Sequence, residues 1–171
     1  MTKYKILKNQ TEQVIIKKAG EYVVELVGVG AEAEILGAFH LKSNQKNKVF
    51  LEIIHKAKHT KANTIIKAVV EGSGEVEIRG KIIVKKGAQQ TESFLQERVL
   101  LVSSQAKAVV IPDLEIMADE VKCSHAATVG PIDKEQMHYL MSRGMDKKEA
   151  SKMIIDGFLQ PVWDKIGRNK K

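Results

Sequence analysis

The chain has 171 residues, of which 43% are apolar and 29% charged, and no apolar run approaches the roughly 20 residues that a membrane-spanning helix needs. Its net charge is +7, but three lysines in residues 1–8 and four basic residues in 165–171 account for the whole excess; the neutral remainder argues against a nucleic-acid surface. One cysteine, Cys123, excludes an intrachain disulfide and a cysteine-only metal centre within one chain.

Residues 1–20 read as a basic N-terminal segment. It leads into no long apolar run, so no signal peptide is predicted. From residue 21 the chain reads as short strands rich in Val and Ile: 22–27, 32–36, 49–54, 64–70, 76–84, 100–102 and 109–116, the last interrupted at Pro112. Strict alternation in Glu75-Val76-Glu77-Ile78-Arg79 predicts one wet and one dry face. The spacing of strand starts fits either a hairpin sandwich or a β-solenoid with two strands per coil. The absence of any Asn-Gly or Asp-Gly turn before residue 130 tilts the balance modestly to the solenoid. Residues 41–68 carry seven lysines against Glu52 alone. They read as a phosphate-binding strip or, more simply, as solvated lysines that keep sheet edges from pairing.

The pattern changes at Pro131, which ends the last strand. Asp133 with Gln136 and Asp146 with Glu149 mark two helix starts, and Gly144 stops the first helix. Ala150, Met153, Ile154 and Phe158 fall at helical spacing and predict one apolar face. Gly157 and Pro161 are expected to break or kink the second helix before Val162-Trp163. The order is α+β and mainly β: a β core over 21–130, a helical domain over 131–167 and a basic tail over 168–171.

The chemistry concentrates in residues 114–130. Cys123 and His125, two apart on a strand, face the same side. A thiolate and an imidazole are ligands that iron and zinc prefer, and Glu115, Asp119 and Glu120 lie close enough in sequence to add oxygens. Two strong ligands do not close a site, so a metal centre here needs a second chain. A buried Cys with a structural His, or a Cys–His nucleophilic pair, remain open alternatives.

Pro112-x-Leu114-Glu115-Ile116, then Asp119-x-Val121-Lys122-Cys123-Ser124-His125-x-Ala127-Thr128-Val129-Gly130, resembles the signature of the SufB/SufD family, the scaffold subunits of the SUF iron–sulfur cluster assembly machine. The resemblance continues through Ile132-Asp133, Tyr139-Leu140-Met141-Ser142-Arg143-Gly144, Glu149-Ala150 and Gly157-Phe158. Upstream, His55 with Thr60, Gly80-Lys81-Ile82-Ile83-Val84 and Leu100-Leu101 also fit. The Cys-Ser-His-x-Ala-Thr form is closer to the SufD type. Ser104-Gln105-Ala106-Lys107 lacks the cysteine that SufB-type subunits often carry shortly before the proline matched by Pro112. The chain is far shorter than the usual member and reads as a minimal core.

The resemblance implies a right-handed parallel β-helix followed by a small C-terminal helical domain. It implies a cytoplasmic, non-enzymatic scaffold that works with a SufC-type ABC ATPase and pairs with itself or with a SufB-type subunit. It further implies a transient iron–sulfur cluster at the subunit interface, held by His125 and Cys123. The ATPase contact is expected on the helical domain, with Tyr139, Phe158, Val162 and Trp163 as anchors. No Gly-x-x-x-x-Gly-Lys-Ser/Thr loop occurs, so this chain is expected to bind no nucleotide itself. The alternatives are a basic solenoid for polyanions, a structural subunit without an iron site and, from the Cys–His pair, a hydrolase.

Overall fold

The computed structural model describes residues 1–168. Ten strands form two parallel sheets wound as a β-solenoid, and two helices close the chain. Sheet A has the order β1 (Thr2–Ile6), β3 (Gly20–Leu26), β5 (Lys46–His55), β7 (Glu75–Val84), β9 (Lys107–Ile116). Sheet B has the order β10 (Val121–Pro131), β8 (Thr91–Leu101), β6 (Lys61–Val70), β4 (Glu32–Leu41), β2 (Thr11–Ile16). Each strand therefore pairs with the strand one coil away, not with its neighbour in sequence. Thr2 pairs with Tyr22 and Thr11 with Glu32, so the first coil takes 20 to 21 residues; Lys46 pairs with Glu75 and Glu75 with Lys107, so the later coils take 29 to 32.

Alternation decides the interior. Ala62, Thr64, Ile66, Ala68 and Val70 of β6 point inward, as do Val76, Ile78, Gly80, Ile82 and Val84 of β7; all are buried. Stacked coils bury these aliphatic side chains on one another, each contributing about 1.5–3 kcal/mol at Val, Ile and Leu. The corners are tight. His59 and Gln90 adopt positive φ at two of them, and Gly72 (φ +64°) at another has room for no Cβ, which would lie 2.8 Å from the Ser43 carbonyl oxygen.

The solenoid begins at Thr2, not at residue 21: the expected basic segment contains β1 and β2, whose Ile6, Val14 and Ile16 join the core. β8 covers eleven residues, of which the expected strand over 100–102 takes in only the last two. β9 runs through Pro112 without interruption, because β9 is an edge strand and a proline there forfeits no ladder bond on its open side.

Asp133 caps α1 (Lys134–Ser142) by accepting from the backbone N–H groups of Glu135 and Gln136. Gly144 (φ +94°) ends it, with Gly144 N bonded to Met141 O and Met145 N to Leu140 O. Asp146 and Glu149 make the full reciprocal capping box of α2 (Lys147–Arg168).

The expected break at Gly157 and Pro161 does not occur, since α2 continues to Arg168. Pro161 removes the donor to the carbonyl of Gly157, which is exposed and open to water. Burial on both sides of the proline keeps the helix on the solenoid: Ala150, Ile154, Ile155, Leu159 and Val162 are buried, and Ile155 and Leu159 pack against Val69, Ala38 and Leu100 on the outer face of sheet B. Ala150 and Ile154 of the expected apolar face are buried and Phe158 packs beside Ile155 and Leu159; Ile155, Leu159 and Val162 widen the stripe, and Met153 alone of the expected four is exposed. Farther along, Lys165 pairs with Glu34 at 2.9 Å, and Gln13 donates to Glu34 and to the Lys165 carbonyl. The basic tail expected over 168–171 lies outside the described residues, apart from the backbone of Arg168.

Candidate functional site

The last coil, β9 and β10, forms an open end. Each strand pairs on one side only, β9 with β7 and β10 with β8. Cys123, His125, Ala127 and Val129 stand in register with Ser93, Leu95, Glu97 and Val99, which are all buried inward residues. The same parity in β10 therefore points into the mouth of the solenoid. One coil lower these positions are core. Here they are half-buried at Cys123 and exposed at the other three, because no further coil covers them. Across the mouth, Val110, Pro112 and Leu114 of β9 continue the inward rows of Ile78, Gly80 and Ile82.

Cys123 and His125 thus share a face, as their spacing predicts, at the rim of an apolar interior. Burial pushes the Cys123 thiol up, and a hydrogen bond from the Ser93 backbone partly opposes the rise. A thiol held protonated is a poor nucleophile, which counts against the Cys–His hydrolase. A metal ion displaces that proton directly, so the same thiol stays available as a ligand.

The three additional carboxylates do not join them. Glu115 lies on the outer face of β9, 2.9 Å from Lys81, whose ammonium hydrogen-bonds it and holds its carboxyl low. Asp119 and Glu120 are exposed in the turn between β9 and β10. Among the described residues no three His, Cys, Asp or Glu side chains gather as a metal site.

Beneath the mouth the interior is partly polar. His55 is fully buried between Thr60 Oγ1 (2.8 Å) and Ser93 Oγ (3.0 Å), and burial lowers its pKa to about 4, so it is a neutral structural latch between coils. Glu97 is fully buried with neither carboxylate oxygen hydrogen-bonded, and burial raises it to about 7. Glu97 is a residue sequence reasoning missed. Its signal is parity: it shares the inward face with Leu95 and Val99.

Of the expected docking anchors, Val162 is 1% exposed and packed under α2, unavailable to a partner. Phe158 is half-buried, with Lys67 4.9 Å above its ring and bonded to its carbonyl at 2.7 Å. Tyr139 (57%) and Trp163 (39%) are exposed. A groove of about 1350 Å³ lies away from the mouth between the helices and the rim of sheet B, and Lys42, Lys134, Lys148 and Lys152 line it. Three of the seven lysines of the strip are held in ion pairs. Lys46 pairs with Glu75, Lys48 with Glu77 and Lys56 with Glu25, and this internal neutralisation weakens the polyanion reading.

Residues 13–158 match the family model described as SUF system FeS cluster assembly, SufBD core domain. The chain is 32% identical over 139 residues to an iron–sulfur cluster assembly SufBD family protein of Mycobacterium bovis, covering 81% of this chain and 16% of that protein. A protein of the same description from Staphylococcus aureus is 30% identical over 136 residues, 80% of this chain and 29% of that one. The chain therefore spans less than a third of the length of these curated relatives. It belongs to the SufBD family of iron–sulfur cluster assembly proteins.

Proposed function

We propose that this SufBD-family chain is a non-enzymatic scaffold subunit of the SUF machinery, and that its open solenoid end is where a nascent iron–sulfur cluster is held. The observation that carries the reading is the exposure of His125, beside the half-buried Cys123, on the inward face of β10, at parity positions that are core one coil below. A solenoid end with unpaired strand edges and exposed Ile116 and Val129 calls for a cover. A second SufBD-type subunit, another copy or a SufB-type partner, supplies one. Two such ends meeting about a two-fold axis bring two thiols and two imidazoles together, which is enough to close a site that one chain leaves half-built.

The helical tail is the docking surface for a SufC-type ATPase, through Tyr139 and Trp163, whose amphipathic rings suit interface anchors. Nucleotide chemistry belongs to that partner. No described helix is long and apolar enough to cross a membrane; we place the complex in the cytoplasm.

Anaerobic reconstitution with iron and sulfide tests the site. His125→Ala should lose the visible absorbance of the cluster and the bound iron and sulfide, with its melting temperature unchanged, because an exposed rim residue contributes little to the core. Cys123→Ser should lose as much if the thiol is a ligand. Wild-type cluster content in His125→Ala would remove the assignment.

A further inference from the structure

The interior just below the open end holds an acid that the fold does not satisfy. Both oxygens of Glu97 are buried without a hydrogen-bond partner, and so is the hydroxyl of Thr64, its diagonal neighbour on β6. Burying an unpaired carboxyl works against folding, and such groups in native proteins call for an explanation.

Three features give one. Glu97 lies in register with Ala127 of β10, two positions from His125 on the same inward face. On parallel strands about 4.8 Å apart, with about 3.3 Å per residue, such diagonal neighbours stand roughly 8 Å apart, within reach of a long side chain. The resting carboxylate folds across the interior to Gly80 of β7, where a Cβ would lie only 2.5 Å from its Oε1. Above it toward the mouth stands the single methyl of Ala127. The glycine makes a resting place, and the alanine leaves a short path out.

We propose that Glu97 is a metal-binding residue: its carboxylate turns toward the mouth and, with His125, holds divalent iron entering there. The inference rests on the reading that His125 lies at the assembly site. Its chemistry is that of a first acceptor. A carboxylate is a hard anionic donor suited to Fe²⁺ before sulfide arrives, and the imidazole beside it is a borderline one. No covalent or redox step is involved.

The test is anaerobic equilibrium dialysis of the full chain with Fe²⁺ alone, alongside melting of the metal-free protein. Glu97→Gln keeps the volume and removes the charge. It should weaken Fe²⁺ binding at least tenfold while melting no lower than wild type, since the carboxylate makes no hydrogen bond that the amide would forfeit. His125→Ala should weaken it comparably. Gly80→Ala, whose Cβ would lie 2.5 Å from Glu97 Oε1 and 2.6 Å from Leu95 Cδ2, should evict the carboxylate and tighten binding at some cost in melting temperature; weakened binding in a variant that still melts cooperatively would refute the turning motion. Wild-type affinity in Glu97→Gln with loss in His125→Ala would overturn the inference and leave the proposed site standing, Glu97 then being a neutral acid packed in the core. Loss in Glu97→Gln with wild-type affinity in His125→Ala would overturn the pairing and remove His125 from the site. A wild-type chain that takes up no Fe²⁺ would overturn both.

Discussion

Two buried groups with opposite titrations should leave a measurable mark on the stability of the metal-free protein. Glu97, held near 7 instead of the ordinary 4.5, is fully compatible with folding while both states are protonated. As pH rises through 4.5 the unfolded chain ionises first, and the folded state loses about 3 kcal/mol by the time pH passes 7. His55 runs the other way. Its folded pKa of about 4 lies below the ordinary 6.5, so its contribution is present above pH 6.5 and is lost as pH falls toward 4, again by about 3 kcal/mol. Over the shared window the two slopes nearly cancel in wild type. Glu97→Gln unmasks the histidine: relative to wild type, its stability should grow by about 3 kcal/mol between roughly pH 4 and pH 8. His55→Gln unmasks the acid and should show the reverse trend over the same range. Urea unfolding followed by circular dichroism across that range measures both. Parallel stability curves for wild type and Glu97→Gln would refute the buried, unpaired carboxyl.

The tail should separate into a packing face and a docking face. Leu159→Ala, at a fully buried position against Val69, should cost about 2–5 kcal/mol and loosen the helix from sheet B, read as lost hydrogen-exchange protection in residues 147–168. Tyr139→Ala with Trp163→Ala should leave melting within a degree or two of wild type and abolish co-purification with a SufC-type ATPase; retained co-purification would move the contact elsewhere.

Much of this protein was legible in the order of its residues. Alternation in Glu75–Arg79 placed β7's wet and dry faces, the Asp146–Glu149 pair marked the start of α2, and Gly144 marked the end of α1, because caps and period-two faces are local properties that need no knowledge of what lies thirty residues away. The motif from Pro112 to Gly130 carried the family, and the two-residue spacing of Cys123 and His125 put them on one face. The remainder depended on stacking. β8 hid behind Gln96, Glu97 and Arg98, since its identity comes from pairing with β6 and β10 about thirty residues distant. Pro161 is tolerated because burial of Leu159 and Val162 outweighs one lost helical bond, and the same burial withdraws Val162 from any partner. Glu115 turned outward to Lys81, and Glu97 turned inward to no partner, by strand parity alone. Whether an inward position is core or site was decided only by where the stack of coils stops: the parity that buries Leu95 leaves His125 open.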